Sequence, residues 1–120
     1  MLDHIGIAAT DIAKSRSFYL KALAPLGIGV VMEFPDAVGL GAERKPFFWL
    51  GKADSATPVH VAFATKSRAS VDAFYKAAMA AGGKDNGGPG LRPDYHPNYY
   101  AAFVHDPDGH NVEAVCHLPV

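Results

Sequence analysis

The sequence predicts an α+β fold of two tandem βαβββ modules, on three observations. First, LDHIGIAATDIAKSRSFYLKA from Leu2 and VHVAFATKSRASVDAFYKAA from Val59 repeat each other at an offset of 56 residues. The offset carries His4 onto His60, Ala8 onto Ala64, Asp11 onto Ser67, Phe18-Tyr19 onto Phe74-Tyr75 and Ala22 onto Ala78. Self-similarity over a whole strand and helix marks a duplicated structural unit. Second, each copy runs from an apolar strand-like stretch through a helix-capping residue into a helical period. Third, short apolar segments separated by turn residues follow each helix, as hairpin strands do.

Residues 2–9 alternate and run apolar, and Asp11 then offers a side chain that can accept the free amides of a first helical turn. Ile12, Ser15, Tyr19, Leu23 and Leu26 recur at helical spacing, and Pro25 with Gly27 ends the helix near Leu23 or Ala24. Three strands are expected next, Ile28 to Phe34, Ala37 to Glu43 and Pro46 to Leu50, with turns at Pro35-Asp36 and Arg44-Lys45. The second module begins with VHVAFAT, is capped at Ser67, and places Val71, Phe74, Tyr75 and Ala78 on one helical face before Gly82-Gly83 stops it. From Gly82 to Asn98 there are five glycines and three prolines in 17 residues, too many for a regular central strand. That segment is expected to be a functional loop that supplies an irregular second strand, so that module two is βαβββ as well. Tyr99 to His105 and Asn111 to His117 close the chain as two strands joined by the turn Asp106-Pro107-Asp108-Gly109. The 120 residues thus read as one domain, with module one at about 1–56 and module two at about 57–120.

Eleven basic residues against 12 acidic ones, with no basic cluster, leave no electrostatic footprint for nucleic acid or an anionic membrane. No apolar run approaches the roughly 18 residues needed to cross a bilayer. The start of the chain lacks the pattern of a secretory leader, and the single cysteine, Cys116, has no disulfide partner in the chain. A cytoplasmic location and a small-molecule ligand are therefore expected. A homodimer is expected too, because half-open sheets leave edges that a two-fold partner can cover.

Alternate strand residues share a face, so His60 keeps company with Ala62 and Ala64, and His4 with Gly6 and Ala8. Missing side-chain volume around both imidazoles suggests a cavity. Glu113 sits between Val112 and Ala114 in an apolar strand, where a carboxylate needs a partner or a cation. Two imidazoles and a carboxylate suit a divalent ion such as Fe(II), Mn(II), Zn(II) or Ni(II). Taken singly, each residue has a plainer reading: a strand histidine is more often structural, and a buried glutamate usually pairs with a local cation.

His105 and His110, at the turn, are expected to face solvent. His96, in the glycine-rich loop, and His117, on the face of Glu113, are candidates for ligand contact. Tyr99 and Tyr100 could supply a phenol for acid–base work. Phe47, Phe48 and Trp49 form an aromatic run that could line an apolar pocket, and Cys116 reads as a buried thiol.

The paired modules, the strand-one histidine followed by Ser-x-x-FY, the HVAF strand and the closing FVHDPDGHNVEAV together resemble the vicinal oxygen chelate superfamily of glyoxalases, bleomycin-resistance proteins and dioxygenases. The resemblance spans essentially the whole chain. It implies a half-open mixed β-barrel and one divalent transition metal (Fe, Mn, Ni or Zn) on His4, His60 and Glu113. It also implies a Lewis-acid role on a substrate with vicinal oxygens, in lyase, isomerase or dioxygenase chemistry. Within that resemblance Tyr100 and His96 are the acid–base candidates, and Trp49, Phe48, Tyr99 and His117 the substrate contacts. Glyoxalase I has a further carboxylate on its fourth strand, where this chain reads PFFWLG, and a basic residue after its first histidine, where this chain has Ile7, Ala8 and Ala9. The alternative implied by the same family is a metal-free small-molecule binder of the bleomycin-resistance type.

Overall fold

The computed structural model describes residues 1–120. The repeat is visible first in the helices. The Asp11 carboxylate accepts the Lys14 amide and opens α1 (Ile12–Ala22), and the Ser67 hydroxyl accepts the Ser70 amide and opens α2 (Arg68–Ala80). Leu23 caps α1, and the chain leaves it through a tight turn at Ala24–Leu26 and a left-handed Gly27.

Module one contributes β1 (Ile5–Ala9), β2 (Gly29–Phe34), β3 (Ala37–Ala42) and β4 (Lys45–Lys52), in the sheet order β1-β4-β3-β2 with β1 parallel to β4. Module two contributes β5 (His60–Ala64), β6 (Lys84–Asp85), β7 (Gly90–Leu91), β8 (Tyr100–His105) and β9 (Asn111–Cys116). Here β5 is parallel to β9, β9 pairs β8, and both β6 and β7 pair β8. The glycine- and proline-rich segment thus supplies the irregular second strand expected of module two. It makes two two-residue strands where module one has a continuous β2. The β3–β4 turn centres on Glu43 and Arg44, both at positive φ, one residue before the expected Arg44-Lys45. Gly109 takes a positive φ of 83° in the turn before β9, the conformation expected of glycine there.

One face of each sheet packs on the helices in a single core. Ile7, Leu40, Phe48 and Leu50 of the first sheet and Phe63, Val104, Val112 and Ala114 of the second meet Phe18, Tyr19, Val71 and Phe74. Phe48 and Phe63 touch edge to face, with centroids 5.2 Å apart, joining the modules. Polar groups reinforce the joint. The Tyr19 hydroxyl donates to Asp106 at 2.5 Å. The Val59 amide donates to His110 Nδ1 at 3.0 Å, so the ring proton is on Nε2, which lies 2.9 Å from the Ala8 carbonyl. His110 is therefore buried, contrary to the sequence expectation, because its ring satisfies a backbone group from each module. His105 is half-buried, with Nδ1 3.2 Å from the Gly109 carbonyl. The opposite faces of the sheets carry no helix, and the sheets do not close on each other, so they form the half-open barrel that places the site.

Candidate functional site

The open face of the second sheet is set by register. Glu113 on β9 lies opposite Ala62 of β5 on one side and Phe103 of β8 on the other. Its neighbours Val112 and Ala114 turn into the core, so Glu113 turns out of it. The carboxylate is nonetheless only 1% exposed. His60 Nε2 lies 2.7 Å from Oε1, and the Tyr99 hydroxyl donates to Oε2. His60 is itself half-exposed, with Ala62 and Ala64 exposed along the same edge, as the missing side-chain volume suggested. Burial, followed by the hydrogen bond to Glu113 and its charge, pushes the Tyr99 phenol up to about 12. This hydroxyl stays protonated throughout the neutral range and acts as a donor.

An exposed aromatic rim surrounds Tyr99. His117 meets it edge-on with centroids 5.0 Å apart, His96 meets His117 at 5.7 Å, and Tyr95 meets Tyr99 at 5.1 Å. His96 Nδ1 accepts the Asn98 amide, which fixes that ring's direction. Tyr100 is not part of this cluster. Consecutive strand residues point to opposite faces, and Tyr100 goes to the helix side, where its hydroxyl donates to Asp72 at 2.6 Å and Arg68 lies over its ring at 5.2 Å. The phenol that reaches Glu113 belongs to Tyr99, and the acid–base expectation for Tyr100 is corrected accordingly.

His4 precedes the first residue of β1, so the strand ladder does not hold it. Its Nδ1 lies 2.8 Å from Asp3, whose other oxygen accepts from Lys45 at 2.6 Å. Lys45, then His4, holds the Asp3 carboxyl below its ordinary range. With Nδ1 donating to Asp3, the Nε2 lone pair of His4 is left free. His4 and His60 line one cavity of about 440 Å³, together with Leu2, Ile5 and Phe47. Glu113 does not line it, and nowhere in the chain do three His, Cys, Asp or Glu side chains converge to hold an ion. The three expected ligands are thus a hydrogen-bonded pair and a separate histidine.

In module one, Gly6 lies opposite Trp49. In module two, Ala62, the residue 56 positions after Gly6, lies opposite Glu113. Trp49 therefore occupies the place that Glu113 occupies in the other module. The duplication put an indole where a second carboxylate would stand. That indole lies against Gly39, where an added Cβ would come 2.8 Å from it, and stacks on Phe34 with centroids 6.3 Å apart. Phe48 points the other way and is buried against Tyr19 and Phe63, and it also backs the cavity that His4 and His60 line. Cys116 is a buried thiol, as expected.

Two residues of the open face escaped the sequence reading. Phe103 stands beside Glu113 with its ring 6.2 Å from that of His60, a position that pairing β8 with β9 through the DPDG turn could have located. Arg92 lies over Phe103 with its guanidinium carbon 5.3 Å from the ring centre, and no local pattern announces it.

The model of the Glyoxalase/Bleomycin resistance protein/Dioxygenase superfamily matches residues 1–114. Among solved structures, a glyoxalase/bleomycin resistance protein from Albidiferax ferrireducens T118 is similar over 99% of both chains, at 26% identity and a TM-score of 0.84. A glyoxalase/bleomycin resistance protein/dioxygenase family enzyme from Burkholderia phytofirmans PsJN is similar over 97% of this chain and 98% of its own, at 18% identity and a TM-score of 0.75. Lactoylglutathione lyase from Agrobacterium tumefaciens is similar over 96% and 92%, at 19% identity and a TM-score of 0.70. The latter two likenesses show the fold alone. No curated protein matches the chain. The duplicated module, the pairing of each module's first strand with its last, and a family match covering nearly the whole sequence agree, and the chain belongs to the glyoxalase/bleomycin resistance protein/dioxygenase superfamily.

Proposed function

We propose that the chain is an enzyme acting on a small molecule with two neighbouring oxygens, bound on the open face beside His60, Glu113 and Tyr99. The observation that carries this reading is the Glu113 carboxylate, buried in the middle of a strand, with both oxygens engaged by groups at the open face. Burying a carboxylate costs several kcal/mol, to within about a factor of two, unless it is paired, and Val112 and Ala114 on either side show that the strand itself needs none.

The donors suit a divalent transition metal in their chemistry, since His60 Nε2 and Glu113 Oε1 stand side by side and His4 keeps a free Nε2 on a carboxylate-backed ring. His60 and Glu113 would hold the ion, with His4 as the third donor supplied by the segment ahead of β1. When bound, such an ion supplies Lewis acidity toward paired ligand oxygens. The protein's own groups do the rest. Tyr99 holds a proton at its hydroxyl and can direct it to a ligand oxygen, Glu113 orients His60, and Phe47 in the cavity shared by His4 and His60 gives the ligand an apolar wall. Lactoylglutathione lyase chemistry that relies on a carboxylate in each module has no second carboxylate here, because Trp49 fills its place.

A second reading is a metal-free binding protein. It is favoured by the separation of His4 from the His60–Glu113 pair and by the aromatic wall at Trp49. Elemental mass spectrometry on tag-free protein purified without chelator decides between them. The enzyme reading expects about one equivalent of a transition metal per chain, lost in both His60→Ala and Glu113→Ala. A chain that stays empty after incubation with Fe(II), Mn(II), Ni(II) and Zn(II) overturns it in favour of the binding protein.

A further inference from the structure

We propose that Arg92 is the anchor for an oxyanion, a carboxylate or phosphate group, on the small molecule bound at the open face. The ligand is then an acid, and Arg92 sets that specificity. This deepens the functional reading above and rests on it for the location of the ligand.

The glycine-rich loop builds a seat for this one side chain. The Arg92 amide donates to the Tyr99 carbonyl at 2.7 Å and its carbonyl accepts the Tyr95 amide at 3.0 Å, so its backbone is held from both sides. One guanidinium nitrogen, Nη2, donates to the Gly88 carbonyl at 2.8 Å. A Cβ on Gly87 would come 3.2 Å from Nη2, and one on Gly90 would come 3.1 Å from Nη1. Side chains at these two positions would press on the guanidinium and shift it by a few tenths of an ångström, and Gly87 also takes a φ of +133°.

The seat orients the guanidinium but does not neutralise it. The ion pairs of the chain are His4–Asp3, Arg16–Glu33, Lys45–Asp3 and His60–Glu113, and Arg92 belongs to none of them. A guanidinium carries five N–H donors in a rigid planar fork suited to two oxygens of a carboxylate or phosphate. One hydrogen bond to a carbonyl leaves most of that fork unused. Phe103 carries Arg92 over its ring and also touches the ring of His60, so the charge and the polar centre share one phenyl floor. A molecule that reaches both carries an oxyanion at one end and its paired oxygens at the other.

Glycolate and glycolamide separate charge from shape, because they are nearly isosteric and only glycolate is an anion. The full-length protein is titrated with glycolate, glycolamide and inorganic phosphate while its amide and arginine side-chain NMR signals are followed, for wild type, Arg92→Gln, Arg92→Lys and His60→Ala. In the wild type, the two anions should shift the Gly88, Arg92 and Phe103 signals. Arg92→Gln should weaken both anions by roughly tenfold or more, the scale of a lost charge-assisted pair, and leave glycolamide unchanged. Arg92→Lys should recover only part of the loss, because a point charge lacks the fork. Equal anion affinity in Arg92→Gln overturns the proposal. So does an equal loss of glycolamide, which would make Arg92 a clamp on the loop, and so does the absence of any shift with either anion up to tens of millimolar. If Arg92→Gln binds as wild type while His60→Ala loses the probes, only the role of Arg92 falls. If the shifted signals lie away from the open face, the functional reading falls with it.

Discussion

Replacing Glu113 with leucine should leave the protein as stable as before, or more stable, while removing the carboxylate of the proposed ligand centre. The carboxylate is 1% exposed and stands between the core residues Val112 and Ala114. Leucine removes two hydrogen bonds to a charged acceptor, from His60 and Tyr99, worth roughly 1.5–3 kcal/mol each. Against that loss it removes the desolvation penalty of a buried carboxylate, an effective cost of about several kcal/mol. The groups left behind are not stranded. His60 is half-exposed and Tyr99 lies at the open rim, so water can take the vacated hydrogen bonds. The expected net change runs from about zero to about 2 kcal/mol of stabilisation, in line with other buried ionic groups replaced by apolar ones. At this chain length that corresponds to a rise in Tm of up to roughly 8 °C. Urea titrations of Glu113→Leu and wild type in chelator, where no bound metal adds to stability, measure it. A fall in midpoint equivalent to more than about 2 kcal/mol, at unchanged slope, would show that the carboxylate serves the fold and would refute the reasoning.

Three further outcomes follow from the geometry. On the proposed metal reading, Asp3→Asn should weaken metal binding by roughly 10–100-fold, because the carboxylate behind His4 Nδ1 fixes the tautomer and the basicity of the ring; a competitive chelator titration reads it, and unchanged affinity would remove His4 from the ligand set. The Tyr99 phenol is raised from 10.0 to about 12, so its proton is held more tightly in the folded protein than in the unfolded chain. The stability this contributes is fully present below pH 10 and is lost as pH rises toward 12, since the unfolded chain releases the proton first; ultraviolet titration of wild type against Tyr99→Phe should therefore show that the deleted phenol titrated late. Gly39→Ala drives a methyl to within 2.8 Å of the indole of Trp49, the only tryptophan, and should displace it from Phe34. The expected result is a red shift in fluorescence with the helix content unchanged by circular dichroism; an unmoved spectrum would mean that Trp49 is not seated on Gly39.

Features encoded within a few neighbouring residues were legible from the start. The cap at Asp11, its echo at Ser67, the helix stops and the DPDG turn all act through local backbone bonds, and each stands within a residue or two of its expected place. The buried glutamate was legible because a charge flanked by Val112 and Ala114 is a local contradiction. Adjacent residues competing for one role were harder. Tyr99 and Tyr100 both read as candidate phenols, and only the pairing of β8 with β9 and the packing of α2 sent one to Glu113 and the other to Asp72.

By itself the sequence determined the duplicated α+β plan, the two capped helices and the apolar setting of Glu113, because periodicity and capping are short-range properties. The tertiary structure alone decided that His110 ties Ala8 to Val59, that Trp49 holds the position equivalent to Glu113, that His4 stands apart from the His60–Glu113 pair, and that the Gly88 carbonyl and the Phe103 ring hold the Arg92 guanidinium. Each of these depends on which strand lies beside which and in what register. That register is set by pairings between residues tens of positions apart, which a one-residue slip would turn to the opposite face.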